Sequence, residues 1–154
     1  MNSAKTIAFR VDASVNIGIG HLMRCLTLAD ILSSQGAECH FLTRKLDGNI
    51  PEFISGRGHH LHLLPLPANC ATEKKQDYVK WLGVSVEQDI RDCWPILSQL
   101  RAQWCVIDHY AIDCIWQKKI RPHVGRILVL DDLADRQHDT DLLVDQNIGW
   151  DRDD

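Results

Sequence analysis

The chain has 154 residues, 45% of them hydrophobic and 25% charged, a composition typical of one globular domain with its own core. Its formal net charge is −4 and its basic residues are scattered instead of forming a stripe, so we expect no nucleic-acid partner. No run approaches the ~18 apolar residues of a membrane helix and no apolar signal core follows the first charges, so we expect a cytoplasmic protein with no membrane partner.

The first predicted element is a short β-rich strand, Thr6–Val11, which ends at Asp12. A glycine turn, Asn-Ile-Gly-Ile-Gly-His, follows at residues 16–21 and leads into an amphipathic helix predicted over Gly20–Gln35, with Gly36 as its C-cap glycine. Two glycines let the backbone pass close to a ligand, and a helix N-terminus offers free N–H groups and the positive end of its dipole. The turn therefore predicts a site for an anion such as a phosphate.

His21 lies at the join between the glycine turn and the helix. An imidazole titrates near neutral pH and can give or take a proton beside a bound anion. The turn is not a dinucleotide fingerprint, which would need glycine at Met23, and it is not a P-loop, which would need Gly-Lys-Ser/Thr where the chain reads Gly-His-Leu. Taken alone, a plain strand-to-helix connection would explain the turn equally well.

Strands and helices alternate through the rest of the chain. Further strands are predicted at Cys39–Thr43, His60–Leu64, Trp104–Ile107, Ile127–Leu130 and Leu142–Val144. Helices are predicted at Ile50–Ser55, from a Ser-Val-Glu-Gln capping box at Ser85, and at Asp113–Lys119. Pro95 should kink or split the second of these, and a surface loop is predicted over Pro65–Asp77. The alternation predicts an open, mostly parallel Rossmann-like α/β sheet with helices on both faces.

Cysteines and histidines are the side chains of this sequence that could bind a transition metal. The six cysteines form no C-x-x-C pair and several lie beside apolar residues, so we expect reduced core thiols. The densest histidine cluster is His59, His60 and His62, of which the last two share one face of a strand. No carboxylate or cysteine lies near them at metal-ligand spacing in the sequence, so we expect no metal there.

Polar residues follow most of the predicted strands. In parallel α/β sheets ligands bind beyond the carboxyl ends of the strands, so these residues are expected on one rim. They are Asp12 with the glycine turn, Thr43 and Arg44, residues 108–110 (Asp-His-Tyr), Asp131 and Asp132, and residues 145–147 (Asp-Gln-Asn). Helix capping would explain any one of them, but their coincidence on one rim favours a binding site.

Several of these segments, in their order and spacing, resemble the UDP-sugar hydrolases of pseudaminic acid biosynthesis. The matching segments are residues 9–14 (FRVDAS), 17–21 (IGIGH) with Arg24, 107–110 (IDHY), 131–136 (DDLADR) with His138, and 145–147 (DQN). The resemblance implies a GT-B architecture in which residues 1–154 form the N-terminal α/β domain. A C-terminal UDP-binding domain, absent from this chain, or a partner chain would then complete the cleft.

The resemblance also implies an activity. These hydrolases release UDP from UDP-2,4-diacetamido-2,4,6-trideoxy-β-L-altropyranose by attack of water at the anomeric carbon, with inversion and without a metal or other cofactor. His21 matches the general base, and the diphosphate would lie near the two glycines of the turn. The residues implied in binding the nucleotide sugar are Asp12, Gly18, Gly20, Arg24, His109 and Tyr110.

Three alternatives to this hydrolase remain open from the sequence. The chain could be a related glycosyltransferase-like protein, a module that binds a nucleotide sugar without turnover, or an inactive truncated remnant. In each case we expect it to fold alone, because its elements complete a layered core, and to have little activity without the second half of the cleft.

Overall fold

The computed structural model describes residues 4–68 and 78–147. Within these ranges the strands are β1 (Lys5–Val11), β2 (Ala37–Arg44), β3 (His60–Leu64), β4 (Trp104–Asp108), β5 (Arg126–Leu130) and β6 (Leu142–Val144). The α-helices are α1 (Gly20–Ser34), α2 (Glu52–Gly56), α3 (Val86–Leu100) and α4 (Cys114–Ile120), and short 3-10 helices lie at Tyr78–Leu82 and Arg121–His123. None of the described helices has the length and hydropathy needed to cross a membrane.

The strands form one parallel sheet in the order β3-β2-β1-β4-β5-β6. This confirms the predicted Rossmann-like α/β fold. The chain builds outward from β1 through β2 to β3, then crosses to the other side of β1 to form β4, β5 and β6. The order therefore reverses between β1 and β4, and in such folds ligands bind in the crevice at this switch point.

Helices cover both faces of the sheet, as the sequence predicts. The core on the α1 and α2 face includes Phe9 stacked on Phe41, with their ring centroids 4.6 Å apart. The core on the α3 and α4 face includes the fully buried Trp116. The described cysteines have free thiols, buried in four cases and half-buried in Cys114, which agrees with the expectation for them, and Cys70 lies outside the described residues.

Local signals place the helix ends. Gly36 has a φ of +90°, the left-handed conformation expected of a C-cap glycine after α1. The Ser85 hydroxyl accepts a hydrogen bond of 3.1 Å from the Gln88 N–H, which confirms the capping box. The predicted loop over Pro65–Asp77 is described only to residue 68, and that part contains neither helix nor strand.

Of the two effects predicted for Pro95, a kink or a split of its helix, the split does not occur. The helix α3 runs from Val86 to Leu100 with the proline inside it. Cys93 and Leu97 are buried on the two sides of Pro95, so packing against the sheet stabilises the helix on both sides of the proline. Tertiary burial here outweighs the missing backbone hydrogen bond.

A buried network of two arginines and two aspartates joins β1, β2 and α3. The Arg10 guanidinium lies 2.6 Å from Asp12 and 2.7 Å from Asp89, and Arg44 lies 2.6 Å from Asp89, with all four side chains 0–1% exposed. The Trp116 indole N–H also donates to Asp89, at 2.9 Å. Arg44 also pairs with the half-buried Asp92, 2.8 Å away, so both guanidinium groups are matched by carboxylates and can remain buried. The network fixes the carboxyl ends of β1 and β2, from which the loops of the rim start.

Replacing Asp89 by asparagine should strongly destabilise the fold. The variant keeps the shape of the side chain but leaves two buried guanidinium groups with one buried carboxylate, and breaking such a pair costs about 3–5 kcal/mol. Urea unfolding measures the loss. Asp135→Asn is the control, because its carboxylate is 53% exposed and pairs at the surface with Arg136, so its effect should stay within about 0.5 kcal/mol. Equal effects of the two variants would contradict the assignment.

Candidate functional site

The candidate site lies at the switch point between β1 and β4. His21 stands in the first turn of α1, and its Nδ1 lies 2.6 Å from Oδ1 of Asp108, the last residue of β4. The Asp108 side chain is buried, whereas His21 is half-buried with 12% of its side chain exposed. The pair therefore joins a fixed carboxylate to an imidazole that reaches solvent.

Arg24 is the second partner of Asp108. It lies one helical turn after His21, and its Nε and Nη2 both donate to the carboxylate, the latter at 2.7 Å. Burial alone would raise the pKa of Asp108, but hydrogen bonds from Arg24 and His21 hold it below its usual range. Asp108 is thus a carboxylate at neutral pH, and its charge is balanced by the guanidinium.

The partners of His21 determine where its proton lies. A carboxylate only accepts, so Nδ1–H of the neutral ring donates to Asp108 and Nε2 keeps its lone pair. Arg24 Nη2 is 3.3 Å from the same Nδ1, a longer contact than the one to the carboxylate. His21 can therefore accept a proton at Nε2, and Asp108 would stabilise the imidazolium that results.

An open cleft of about 310 Å³ borders this pair. It is lined by Ile17, Gly20, His21, Arg24, Tyr110 and Gln146. The Tyr110 ring meets His21 edge-on, with centroids 4.6 Å apart, and its hydroxyl donates to Asp132 at 2.6 Å. Burial, and then the Asp132 carboxylate, raise the pKa of Tyr110 above its usual value, so the phenol stays protonated. Gln146, which follows β6, brings the last predicted rim segment to the cleft.

The glycine turn leaves open space at the start of α1. Gly18 has a φ of +78°, and its N–H donates to the Ser14 carbonyl at 2.8 Å. A Cβ built on Gly18 or Gly20 would meet no atom within 4 Å. No side chain caps the helix N-terminus at Ile19, and the first turn carries no acidic residue. The geometry needed to admit an anion is thus present.

Asp12 and His109 form a second aspartate–histidine pair that lies beneath the rim. His109 Nε2 is 3.0 Å from Asp12, and the Ala111 N–H donates to His109 Nδ1 at 3.1 Å, which assigns the ring proton to Nε2. Both side chains are 0–2% exposed. Burial alone would raise the pKa of Asp12, but Arg10 and His109 hold it well below its usual range.

These positions correct the expectation that Asp12 and His109 line one pocket with His21. Both side chains are buried and neither lines the cleft. Side chains alternate along a strand, so Val11 and Asp108, which pair across β1 and β4, face α1. Asp12 and His109 come one residue later and face α3 instead. Of the residues predicted for the site, the cleft brings together Gly20, His21, Arg24 and Tyr110, with Gly18 two residues from it in the same turn.

Asp108 is expected on the rim from the sequence, but the sequence gives it no role in the site. It stands in the Ile-Asp-His-Tyr segment, and the signal that could have found it is its position as the last strand residue beside an expected active-site histidine. Its distance in sequence from His21 hides the pairing, because only the register of β4 beside β1 brings the two together.

A separate histidine cluster lies on β2 and β3. His40 Nδ1 is 3.1 Å from His62 Nε2, and the His40 ring stacks on that of His60 with centroids 4.3 Å apart. Burial, followed by the neighbouring imidazoles, lowers the pKa of His40 to about 4. Glu38 lies beside His40 and His60, so the cluster does have a carboxylate neighbour, contrary to the sequence expectation. The sequence spacing missed it because Glu38 belongs to the adjacent strand.

The fold has a counterpart among solved structures. The structure of LpCGTa in complex with UDP matches with a TM-score of 0.52 and 17% sequence identity, over 83% of this chain and 30% of that one. At this identity the match shows a shared Rossmann-like fold, of the type found in GT-B proteins. The matched region is less than a third of the length of LpCGTa. No protein-family model and no curated protein matches the chain.

The Asp108 charge should make stability depend on pH. Its folded-state pKa is lowered, so its contribution is fully present above the ordinary aspartate pKa of about 3.9 and is lost as the pH falls through the folded value. In Asp108→Asn the slope of unfolding free energy against pH, measured by urea unfolding below pH 4, should fall by up to about 1.4 kcal/mol per pH unit. A slope equal to that of the wild type would contradict the assignment.

Proposed function

We propose that this chain is the catalytic half of a UDP-sugar hydrolase in which His21 is the general base. The observation that carries the proposal is the His21–Asp108 pair, which leaves Nε2 free to accept a proton beside the cleft and the glycine turn. Two further lines support it. The fold is shared with a structure that holds UDP, and the sequence motifs resemble those of the hydrolases that form pseudaminic acid precursors.

The proposed reaction is a displacement at the anomeric carbon. The oxygen of a water molecule bonds to that carbon while its proton passes to His21 Nε2. The bond between the anomeric carbon and the phosphate oxygen breaks, and its electron pair leaves with UDP. Asp108 stabilises the imidazolium in the transition state, and Arg24 keeps the buried carboxylate balanced when the imidazole is neutral.

The diphosphate is proposed to lie against the glycine turn. There the start of α1 offers backbone N–H groups and the positive end of the helix dipole, without a capping side chain in the way. Negative charge grows on the leaving phosphate as the bond breaks, so a donor set in this position favours the transition state over the ground state.

Asp12 and His109 take a positioning role in this proposal. Their side chains do not reach the cleft, but Asp12 also accepts from the Arg44 N–H at 2.7 Å and so links the ends of β1 and β2 to the residue after β4. Tyr110, which directly follows His109, is then held with its ring against His21. The pair sets the shape of the pocket wall without touching the sugar.

A second domain is proposed to complete the cleft. GT-B sites lie between two domains, and here the cleft is open on one side, with His21, Arg24 and Tyr110 on its floor. The hydrolase activity, the pseudaminic acid pathway and the identity of the sugar all belong to this proposal. Turnover separates it from the alternative of a module that only binds a nucleotide sugar.

Replacing His21 by asparagine should abolish most turnover in the enzyme completed by a second GT-B domain. Loss of a general base lowers kcat by about 100-fold or more, while KM should change little because the cleft keeps its shape. Release of UDP from the sugar nucleotide gives the rate. His123→Asn is the matched control, since this histidine bonds to Ser98 away from the cleft and its loss should leave kcat unchanged.

Two results would contradict the proposal. Unchanged kcat in His21→Asn would remove this histidine from the mechanism. Tight binding of the sugar nucleotide with no release of UDP by the completed enzyme would favour the binding module.

A further inference from the structure

We propose that Glu38, His40 and His60 form a binding site for a divalent transition-metal ion of the zinc class. The nitrogen and oxygen atoms that these three side chains can offer all lie within 4.8 Å of one another. Among the described residues this is the one group of histidine, cysteine and acidic side chains found close enough together to hold an ion.

The sheet brings the three residues to one face. His40 and His60 are directly paired across the parallel strands β2 and β3. Glu38 is two residues before His40 on the same strand, so its side chain points to the same side of the sheet. The backbone of three potential ligands is thereby fixed by strand pairing before any ion binds, which reduces the entropy lost on binding.

The side chains can reach the geometry that zinc requires by rotation of the exposed His60 ring, which now stacks nearly parallel to His40. Zn–N and Zn–O bonds of about 2.0–2.2 Å in a tetrahedral arrangement place neighbouring ligand atoms about 3.3 Å apart. The present separations of up to 4.8 Å therefore need to close by at most about 1.5 Å. Glu38 and His60 are exposed, so they can rotate without disturbing the core.

His62 gives the cluster a fourth member. It is two residues after His60 on β3, and its Nε2 lies 3.1 Å from His40 Nδ1. It can hold the His40 ring in the orientation that coordination needs, while water takes the fourth position on the ion. Imidazoles with a single carboxylate suit zinc, copper and nickel, whereas calcium and magnesium prefer sets of oxygen ligands.

The location indicates a structural ion and not a catalytic one. His60 is the first residue of β3, and Glu38 is near the start of β2, so the cluster lies towards the amino ends of these strands. The proposed cleft lies at the carboxyl end of the sheet. Strand β3 lies at one edge of the sheet and pairs only with β2. An ion bound to residues of both strands would stabilise this pairing.

The test is a zinc titration of the tag-free chain in competition with a chromophoric chelator. We expect one Zn²⁺ per chain with a dissociation constant below about 10 μM. His60→Ala and Glu38→Gln should each weaken binding by about 10-fold or more, as loss of a ligand requires. His123→Ala, which removes a half-buried histidine outside the cluster, should bind zinc like the wild type.

Two further readouts separate a built site from adventitious binding. Co²⁺ should give the visible absorption of a tetrahedral site in the wild type and in His123→Ala but not in His60→Ala. Zinc should raise the Tm of the first two proteins and not of the third. The proposal would be overturned if the wild type bound no zinc at about 1 mM, which is 100-fold above the expected dissociation constant of about 10 μM. Equal zinc affinities of His60→Ala and His123→Ala would also overturn it.

Discussion

The buried pairing of Arg10 with Asp12 and Asp89 is the interaction on which the candidate site depends. Arg10 balances the charge of the Asp12 carboxylate, which lies just after the end of β1. Asp12 in turn contacts His109, the residue that follows β4. The two central strands are therefore fixed at the rim by polar contacts and not by apolar packing alone. Such contacts are directional, so they determine where the following loops begin more narrowly than hydrophobic burial could.

The rim holds two aspartate–histidine pairs whose surroundings give them different roles. Asp12 and His109 are buried on the α3 face, where both ring nitrogens already have partners. Asp108 and His21 lie on the α1 face, where one ring nitrogen remains available at an open cleft. The same two residue types thus supply a fixed support and a group capable of accepting a proton, and access to solvent separates the two roles.

Much of the fold follows from local signals in the sequence, and much of the site does not. Hydrophobic patterns and capping residues predicted the strands, the glycine turn and the start of α3, because these depend on neighbours along the chain. The partners of the two histidines come from distant parts of the chain. Asp108 of β4 contacts His21, and Glu38 of β2 lies near His60, so both neighbours depend on how the strands are ordered and aligned. The separation of Asp12 and His109 from the cleft follows instead from side-chain alternation along β1 and β4, which is a local property of the sequence. At Pro95, burial on both sides keeps α3 continuous where the local signal allows a break.

The most direct test of the central claim is to map UDP onto the isolated chain by amide chemical shifts in nuclear magnetic resonance. A nucleotide site at the switch point predicts shifts centred on residues 18–24 and on Tyr110, with half-saturation above about 0.1 mM if the proposed second domain supplies the other contacts to the nucleotide. Half-saturation well below that value would contradict the proposal that a second domain completes the cleft. Shifts confined to the opposite edge of the sheet, or no shifts at millimolar UDP, would contradict the site itself.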